Sequence, residues 1–403
     1  MQRVKYATKS VLLVALIASL FSFVKFQHCV NSGFAAPDNY VHACYSDLSA
    51  LYGARGLDHH QWPYSSPTNA VEYPPLTGVV MWATALINPH SFSYTGYFYI
   101  NAILIALLFI GSVYLLYRMK PRYWYLFPLS PVVIASLFIN WDLWAVLAAL
   151  GSIALFDKRR YEWSAFILGV SIATKFFPVV LLAPIVLIFL KRRELSRLAI
   201  YLAITAATWL LINLPFALFT CDGWMRFFEL NKSRPADFGS IYYAFQLAYP
   251  HTTLPAINTL SSALFLICTA LAAIYFYFLA PEHLLNRLAI PAFAFVAIFT
   301  TMSKVYSPQY VLWLTPLGIL AMRSYTMRAP FWIWQGGEFL YHLAIWQYLA
   351  KYTGSKFGIS GAALALSIFI RVVATGYFAV RVYADREVEA ASLEAPAAAP
   401  DPA

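Results

Sequence analysis

Long apolar stretches recur from Val11 to Tyr383, separated by short polar or basic turns. Many are long enough to cross the ~30 Å hydrocarbon core of a bilayer as helices. They run on without the apolar/polar alternation of a membrane barrel, so the pattern predicts a helical polytopic protein. Spans are expected at about 10–27, 97–117, 123–139, 143–156, 163–174, 176–190, 198–219, 257–280, 288–302, 309–322, 329–349 and 360–383. The stretch Leu76–Asn88 is too short to be read as a crossing. Segments 163–174 and 176–190 are short too, the first only ~18 Å at helical rise. Lys175, between them, is therefore expected below the membrane surface.

Charge decides the orientation. Arg118, Lys120 and Arg122, then Lys158-Arg159-Arg160, then Lys191-Arg192-Arg193 with Arg197, then Arg323 and Arg328 read as cytoplasmic clusters. They agree with one another only if 76–88 does not cross. That stretch then reads as a re-entrant or interfacial helix. Twelve crossings result, with both termini cytoplasmic and two large outer segments, 28–96 and 220–256. Residues 1–385 form one transmembrane domain. The Ala/Pro/Glu-rich residues 386–403 read as a disordered cytoplasmic tail. The first span follows Arg3, Lys5 and Lys9 with no small-residue cleavage site, so it is expected to be retained.

Composition agrees. The 403 residues are 61% hydrophobic and 11% charged, where a soluble chain carries about a quarter charged residues. The net charge of +10 sits largely in the cytoplasmic turns, so it does not argue for nucleic acid. Cys29 and Cys44 share the first outer loop, where a disulfide is the candidate pairing and two free thiols the alternative. There is no Cys-x-x-Cys, and His59-His60 lacks a regular ligand spacing. No metal is therefore expected.

With this topology the unusual polar residues fall on one face. Asp47 and Glu72 lie in the first outer loop, Glu72 opening Glu-Tyr-Pro-Pro with Tyr73. Asp142 follows Trp141 at an outer junction, and Lys175 and Lys304 lie at two more. Charges at the mouth of an apolar bundle are costly and point to function. A carboxylate can take a proton from a sugar hydroxyl, and cations can hold a phosphate as charge develops on it. Plainer roles stay open. Asp47 can cap a helix through Leu48–Leu51, Glu72 can pair with Arg55, Asp142 suits a helix start, and the lysines can snorkel.

Five motifs carry a family likeness: Cys-Tyr-Ser-Asp-Leu at 44–48, Glu-Tyr-Pro-Pro-Leu-Thr-Gly at 72–78, Asn-Trp-Asp-Leu-Trp at 140–144, Ala-Thr-Lys-Phe-Phe-Pro at 173–178 and Ser-Lys-Val-Tyr-Ser-Pro-Gln-Tyr-Val-Leu-Trp at 303–313. In order and placement they resemble the GT-C superfamily of integral-membrane glycosyltransferases. Within it they resemble glycosyltransferase family 87, the actinobacterial polyprenyl-phosphate-mannose-dependent mannosyltransferase-like proteins. The resemblance implies a GT-C bundle and a polyprenyl-phosphate sugar donor, with mannose the leading sugar. It also implies inverting transfer without a nucleotide sugar or a cofactor, to a lipid or glycan acceptor at the extracytoplasmic face. An acidic residue of the first outer loop is the implied base. Asp47 matches that position, with Asp58 as the alternative.

On this reading Lys175 and Lys304 hold the phosphate, with Arg226 and Arg234 behind them. Glu72 and Asp142 orient sugar hydroxyls or Lys175, Tyr73 and Trp141 stack on sugar faces, and Tyr306 and Gln309 complete the substrate site. A transporter or flippase of a lipid-linked sugar is the competing reading. It would line a path through the membrane with polar residues and repeats; the sequence shows no strong internal repeat, and its mid-span charges are few, Arg371 being the main exception.

Overall fold

The structure is a computed structural model that describes residues 2–89, 93–250 and 256–385. The expected tail, 386–403, lies outside the described residues. Among the described residues there is helix and no strand. Helix α1 (Gln2–Asn31) leads into a loop with two short helices, α2 (Asp38–Val41) and α3 (Asp47–Ala54). Then come α4 (Pro75–Leu86), α5 (Tyr94–Arg118), α6 (Leu126–Leu129), α7 (Pro131–Ser136), α8 (Asp142–Asp157), α9 (Tyr161–Thr174) and α10 (Leu182–Lys191). The second half holds α11 (Leu195–Phe219), α12 (Cys221–Ser233), α13 (Ile241–Ala248), α14 (Ile257–Ile274), α15 (Ala289–Met302), α16 (Val311–Ala321), α17 (Arg328–Tyr352) and α18 (Gly361–Tyr383).

Helices at Thr8–Asn31, Tyr94–Arg118, Leu195–Phe219, Ile257–Leu279 and Gly361–Tyr383 are long and apolar enough to cross a membrane. Leu211, Phe219, Leu266 and Leu271 point outward from α11 and α14. A continuous apolar exterior of this kind is stable against lipid, not water. The chain is a multi-pass membrane protein.

Prolines explain where the expected spans break up. The stretch 123–139 is two short helices rather than one. Ser130 is extended, as a residue before proline must be, and Pro131 restarts the helix at its first position. Pro308 acts likewise: Ser307 is extended and a 3-10 turn at Pro308–Tyr310 leads into α16. Pro75 opens α4, with Pro74 extended before it. Helix α4 is 12 residues long, about 18 Å, which is too short to cross. Its start donates Thr77 Oγ1 to the Thr174 carbonyl, and just beyond its end Asn88 bonds the Tyr52 hydroxyl of the first loop. It therefore packs on the end of α9 at its start and on the first loop at its end.

Contacts gather the basic turns at one end of the bundle. Arg287 reaches the Met119 carbonyl and Asp157, Arg192 reaches Tyr161, and Arg323 reaches Val382 and Asp385. At the opposite end a disulfide joins Cys29 to Cys44, whose Cα atoms are 5.9 Å apart. There α12 docks on the first loop: Gly223 lies so close to the Tyr64 backbone that a Cβ has no room. Deep in the same half, Arg371 of α18 and Glu338 of α17 form an ion pair at 2.7 Å, both fully buried.

Candidate active site

A cavity of about 820 Å³ opens at the loop end of the bundle. Asp47, Glu72, Tyr73, Lys175, Arg234, Lys304 and Gln309 line it, although they come from five separate stretches of chain. Pro74, Phe177, Tyr310 and Trp313 add an aromatic and apolar lining.

Asp47 is the first residue of α3, but it does not cap that helix. Ser46 does, accepting from the Leu48 amide at 3.2 Å. The start of α3 is stapled to the turn before α8: Ser46 Oγ donates to the Phe138 carbonyl and Asp47 N to the Ile139 carbonyl. The Asp47 carboxylate is thereby free to face the cavity. Tyr45 donates its hydroxyl to Oδ1 at 2.8 Å and Asn140 Nδ2 donates to Oδ2 at 2.6 Å. Each oxygen keeps a lone pair. Burial pushes the Asp47 carboxyl up to about 6, against the lowering pull of the Tyr45 bond and of Lys175. It is thus a carboxylate that is ionised at neutral pH yet basic enough to take a proton.

Asn140 connects the base to a buried ion pair. Its amide oxygen accepts from Lys175 Nζ at 3.2 Å, and its amide nitrogen also donates to the Tyr73 hydroxyl at 2.8 Å. Lys175 pairs with the fully buried Asp142 at 2.5 Å and sits 5.0 Å from the Tyr73 ring centroid. Asp142 also accepts from Trp313 Nε1 at 3.0 Å. The Lys175 charge is therefore already matched.

A second cluster is cationic. Lys304 Nζ donates to the Arg234 carbonyl at 2.7 Å, to the Lys232 carbonyl at 3.4 Å and to Asn258 Oδ1. Neither Lys304 nor Arg234 has a carboxylate in ion-pair range among the described residues. Burial first, and the Arg234 charge second, hold the Lys304 ammonium below its usual range. Two cations without a carboxylate partner, lining one cavity, make an anion site. Asp237 lines the same cavity, its amide held by the Lys304 carbonyl and its carboxylate 3.4 Å from Ser307 Oγ.

Several sequence expectations need correcting. Trp141 is fully buried behind Tyr73, its indole donating to Asn101 Oδ1 at 2.7 Å, so it offers no face to a sugar. Tyr306 is buried too, its hydroxyl on Glu338 at 2.8 Å. Arg226 bonds the Ala70 and Pro67 carbonyls and fastens α12 to the first loop, away from the cavity. Asp142 reaches the cavity only through Lys175. Glu72 does line the cavity, and Arg55 holds both its oxygens, at 2.7 and 3.0 Å, the pairing that the sequence left open. Asp58 lies in a 3-10 turn, accepts from the His59 amide and does not line the cavity. Asn140, Asp237 and Asn258 were missed as site residues. Asn140 at least stood within the Asn-Trp-Asp motif, one residue from the expected tryptophan.

The model of glycosyltransferase family 87 matches residues 72–303, more than half of the chain. Among solved structures, ArnT from Cupriavidus metallidurans, crystallised with undecaprenyl phosphate, is 17% identical, with a TM-score of 0.38. The match covers 93% of this chain and 78% of that one. No curated protein matches the chain.

Proposed function

The chain belongs to glycosyltransferase family 87, and from that premise we propose that it moves a sugar from a polyprenyl-phosphate donor to a lipid or glycan acceptor. Mannose is the sugar that the family resemblance implies. The observation that carries the reading is one cavity holding both a carboxylate with a raised pKa and a pair of unmatched cations.

Asp47 takes the proton from an acceptor hydroxyl. The oxygen attacks the anomeric carbon, and the bond from that carbon to the phosphate oxygen breaks, its electron pair leaving with the phosphate. The phosphodiester becomes a phosphomonoester and gains negative charge, so cations near it stabilise the transition state more than the ground state. Lys304 and Arg234 fill that role. Lys175 works differently: neutralised by Asp142, it orients Asn140 and hence Asp47. Glu72, Asp237, Tyr73 and Gln309 are the groups left to bind sugar hydroxyls and faces.

The cavity lies at the end opposite the basic turns. Positive residues favour the cytoplasmic side, which supports an extracytoplasmic active site with both termini inside and twelve crossings. The test is transfer from a synthetic polyprenyl-phosphate mannose by purified protein in detergent, with arabinosyl and glucosyl donors alongside. Sugar transfer that Asp47→Asn abolishes while the protein stays folded supports the assignment. Full turnover in that variant, or flux across proteoliposomes with no covalent product, overturns it.

A further inference from the structure

The first outer loop carries a side-chain cluster for which the transfer chemistry has no use. His28 stands in the last turn of α1, Asp38 opens α2, and His42 ends it. His28 Nε2 lies 2.8 Å from Asp38 Oδ2, and His42 Nδ1 lies 3.1 Å from Asp38 Oδ1. The two imidazoles stack with centroids 3.6 Å apart and planes inclined by 29°. One ligating atom from each of the three residues falls within 4.8 Å of the others. None of the three lines the cavity.

The convergence is built into the covalent frame. The disulfide joins Cys29, next to His28, to Cys44, two residues from His42. Helix α2 is anchored separately, since Gln347 Nε2 donates to the Val41 carbonyl at 3.0 Å. Two imidazoles from different parts of the loop are thus held with a ring nitrogen aimed at one carboxylate. His28 Nε2 and His42 Nδ1 both face Asp38, and His42 Nδ1 also lies 3.1 Å from the Asp38 carbonyl, so a cation entering here displaces the protons that these nitrogens share with oxygen.

We propose that His28, Asp38 and His42 bind a divalent cation of the zinc class. Two imidazole nitrogens and one carboxylate oxygen are a donor set that zinc accepts, with water completing the tetrahedron. Nitrogen donors favour zinc, copper or nickel over magnesium and calcium, which take oxygen. The spacing 28, 38, 42 matches no regular ligand pattern, so the cluster exists only in the fold. A cation there braces the loop that carries Tyr40 and Tyr45 to the cavity rim, and Tyr45 holds the base. The site stands whether or not the transferase reading does, because its readout is metal binding.

The experiment titrates untagged, chelator-stripped, full-length protein with Zn²⁺ by calorimetry and with Co²⁺ by visible absorbance. One cation per chain is expected, with a rise in Tm at saturation and no displacement by equimolar Mg²⁺. Disturbing even an outer partner of a metal ligand costs roughly 10- to 100-fold in affinity. His28→Gln/His42→Gln should lose at least that much, while His59→Gln/His60→Gln should bind like the parent. Asp38→Asn, which keeps shape and removes charge, serves if the double variant fails to fold. The inference is overturned by a parent that binds no cation, by unchanged affinity in a folded variant, or by equal binding of Mg²⁺.

Discussion

Asp47 works through its surroundings. Tyr45 and Asn140 fix its two oxygens, and burial raises its carboxyl from the ordinary 3.8 to about 6. The sign follows. A carboxyl with a raised folded-state pKa is stabilised in its protonated form, so that contribution to stability is lost as pH rises through about 6. Activity runs the other way: kcat/KM should climb over the same range and level off above it. Asp47→Asn should cost ~10²–10⁴-fold at the plateau, the usual share of a general base. A pH–rate profile of the parent that stays flat between pH 5 and 7 would refute the base assignment. At the cationic cluster, Lys304→Met and Arg234→Gln each remove a bond to a charged group, worth roughly 10- to 100-fold. Because charge grows on the leaving phosphate, kcat should fall as well as KM rise. A pure KM effect would mean that the pair only binds the donor. These residues were legible in the sequence as charges that an apolar bundle has no packing use for. Their partners were not: nothing local signals that Asn140 joins Asp47 to Lys175, or that Arg226 turns to loop carbonyls while Arg234 stays by the cavity.

Between residue and molecule stands the segment 303–310, which brings Lys304 and Gln309 to the cavity. It is strapped from below. Arg371 donates Nη1 to the Tyr306 carbonyl at 2.7 Å and Nη2 to the Ser307 carbonyl at 3.1 Å. Its guanidinium lies 3.3 Å from the Tyr306 ring centroid and 4.2 Å from that of Tyr341, and Glu338 closes the group. Arg371→Met should cost ~3–5 kcal/mol, because Glu338 is left charged and unpaired. Arg371→Met combined with Glu338→Leu should recover most of that stability, yet still bind donor weakly, since the segment has lost its strap. Thermal unfolding and donor KM measured on the pair separate the two effects. Recovery of both together would reduce the ion pair to packing. The sequence exposed Arg371 as a charge in mid-span but gave no means of matching it to Glu338, because the two lie on different helices. Prolines start helices at Pro75, Pro131 and just before α16 at Pro308, whereas Pro215 and Pro316 sit inside continuous helices. Within the expected span 123–139, Pro131 interrupts the helix, a break that hydropathy alone does not register.

At the scale of the whole molecule, the two ends of the bundle differ in kind. Basic turns, closed by Lys120, Arg159 and Arg193 with φ near +58°, share one end, while the disulfide, the loops and the cavity share the other. The sequence carried this polarity in its clusters of Lys and Arg, since charge bias is set by membrane insertion and not by tertiary packing. What it did not carry was the approach of distant stretches, such as α12 onto the first loop through Gly223 and Arg226, because such contacts leave no periodic trace. Two free cysteines offer a direct test of orientation. Cys221 is exposed at the start of α12, on the cavity side, while Cys268 is partly buried within the apolar α14. A membrane-impermeant maleimide added to intact cells should label Cys221 and leave Cys268 untouched. In a Cys221→Ser background, Lys158→Cys should label only after the membrane is opened. The reverse pattern would put the cavity in the cytoplasm. The proposed use of a donor in the outer leaflet would then fail, although the chemistry assigned to Asp47 would stand, because the transfer itself does not depend on which leaflet presents the lipid.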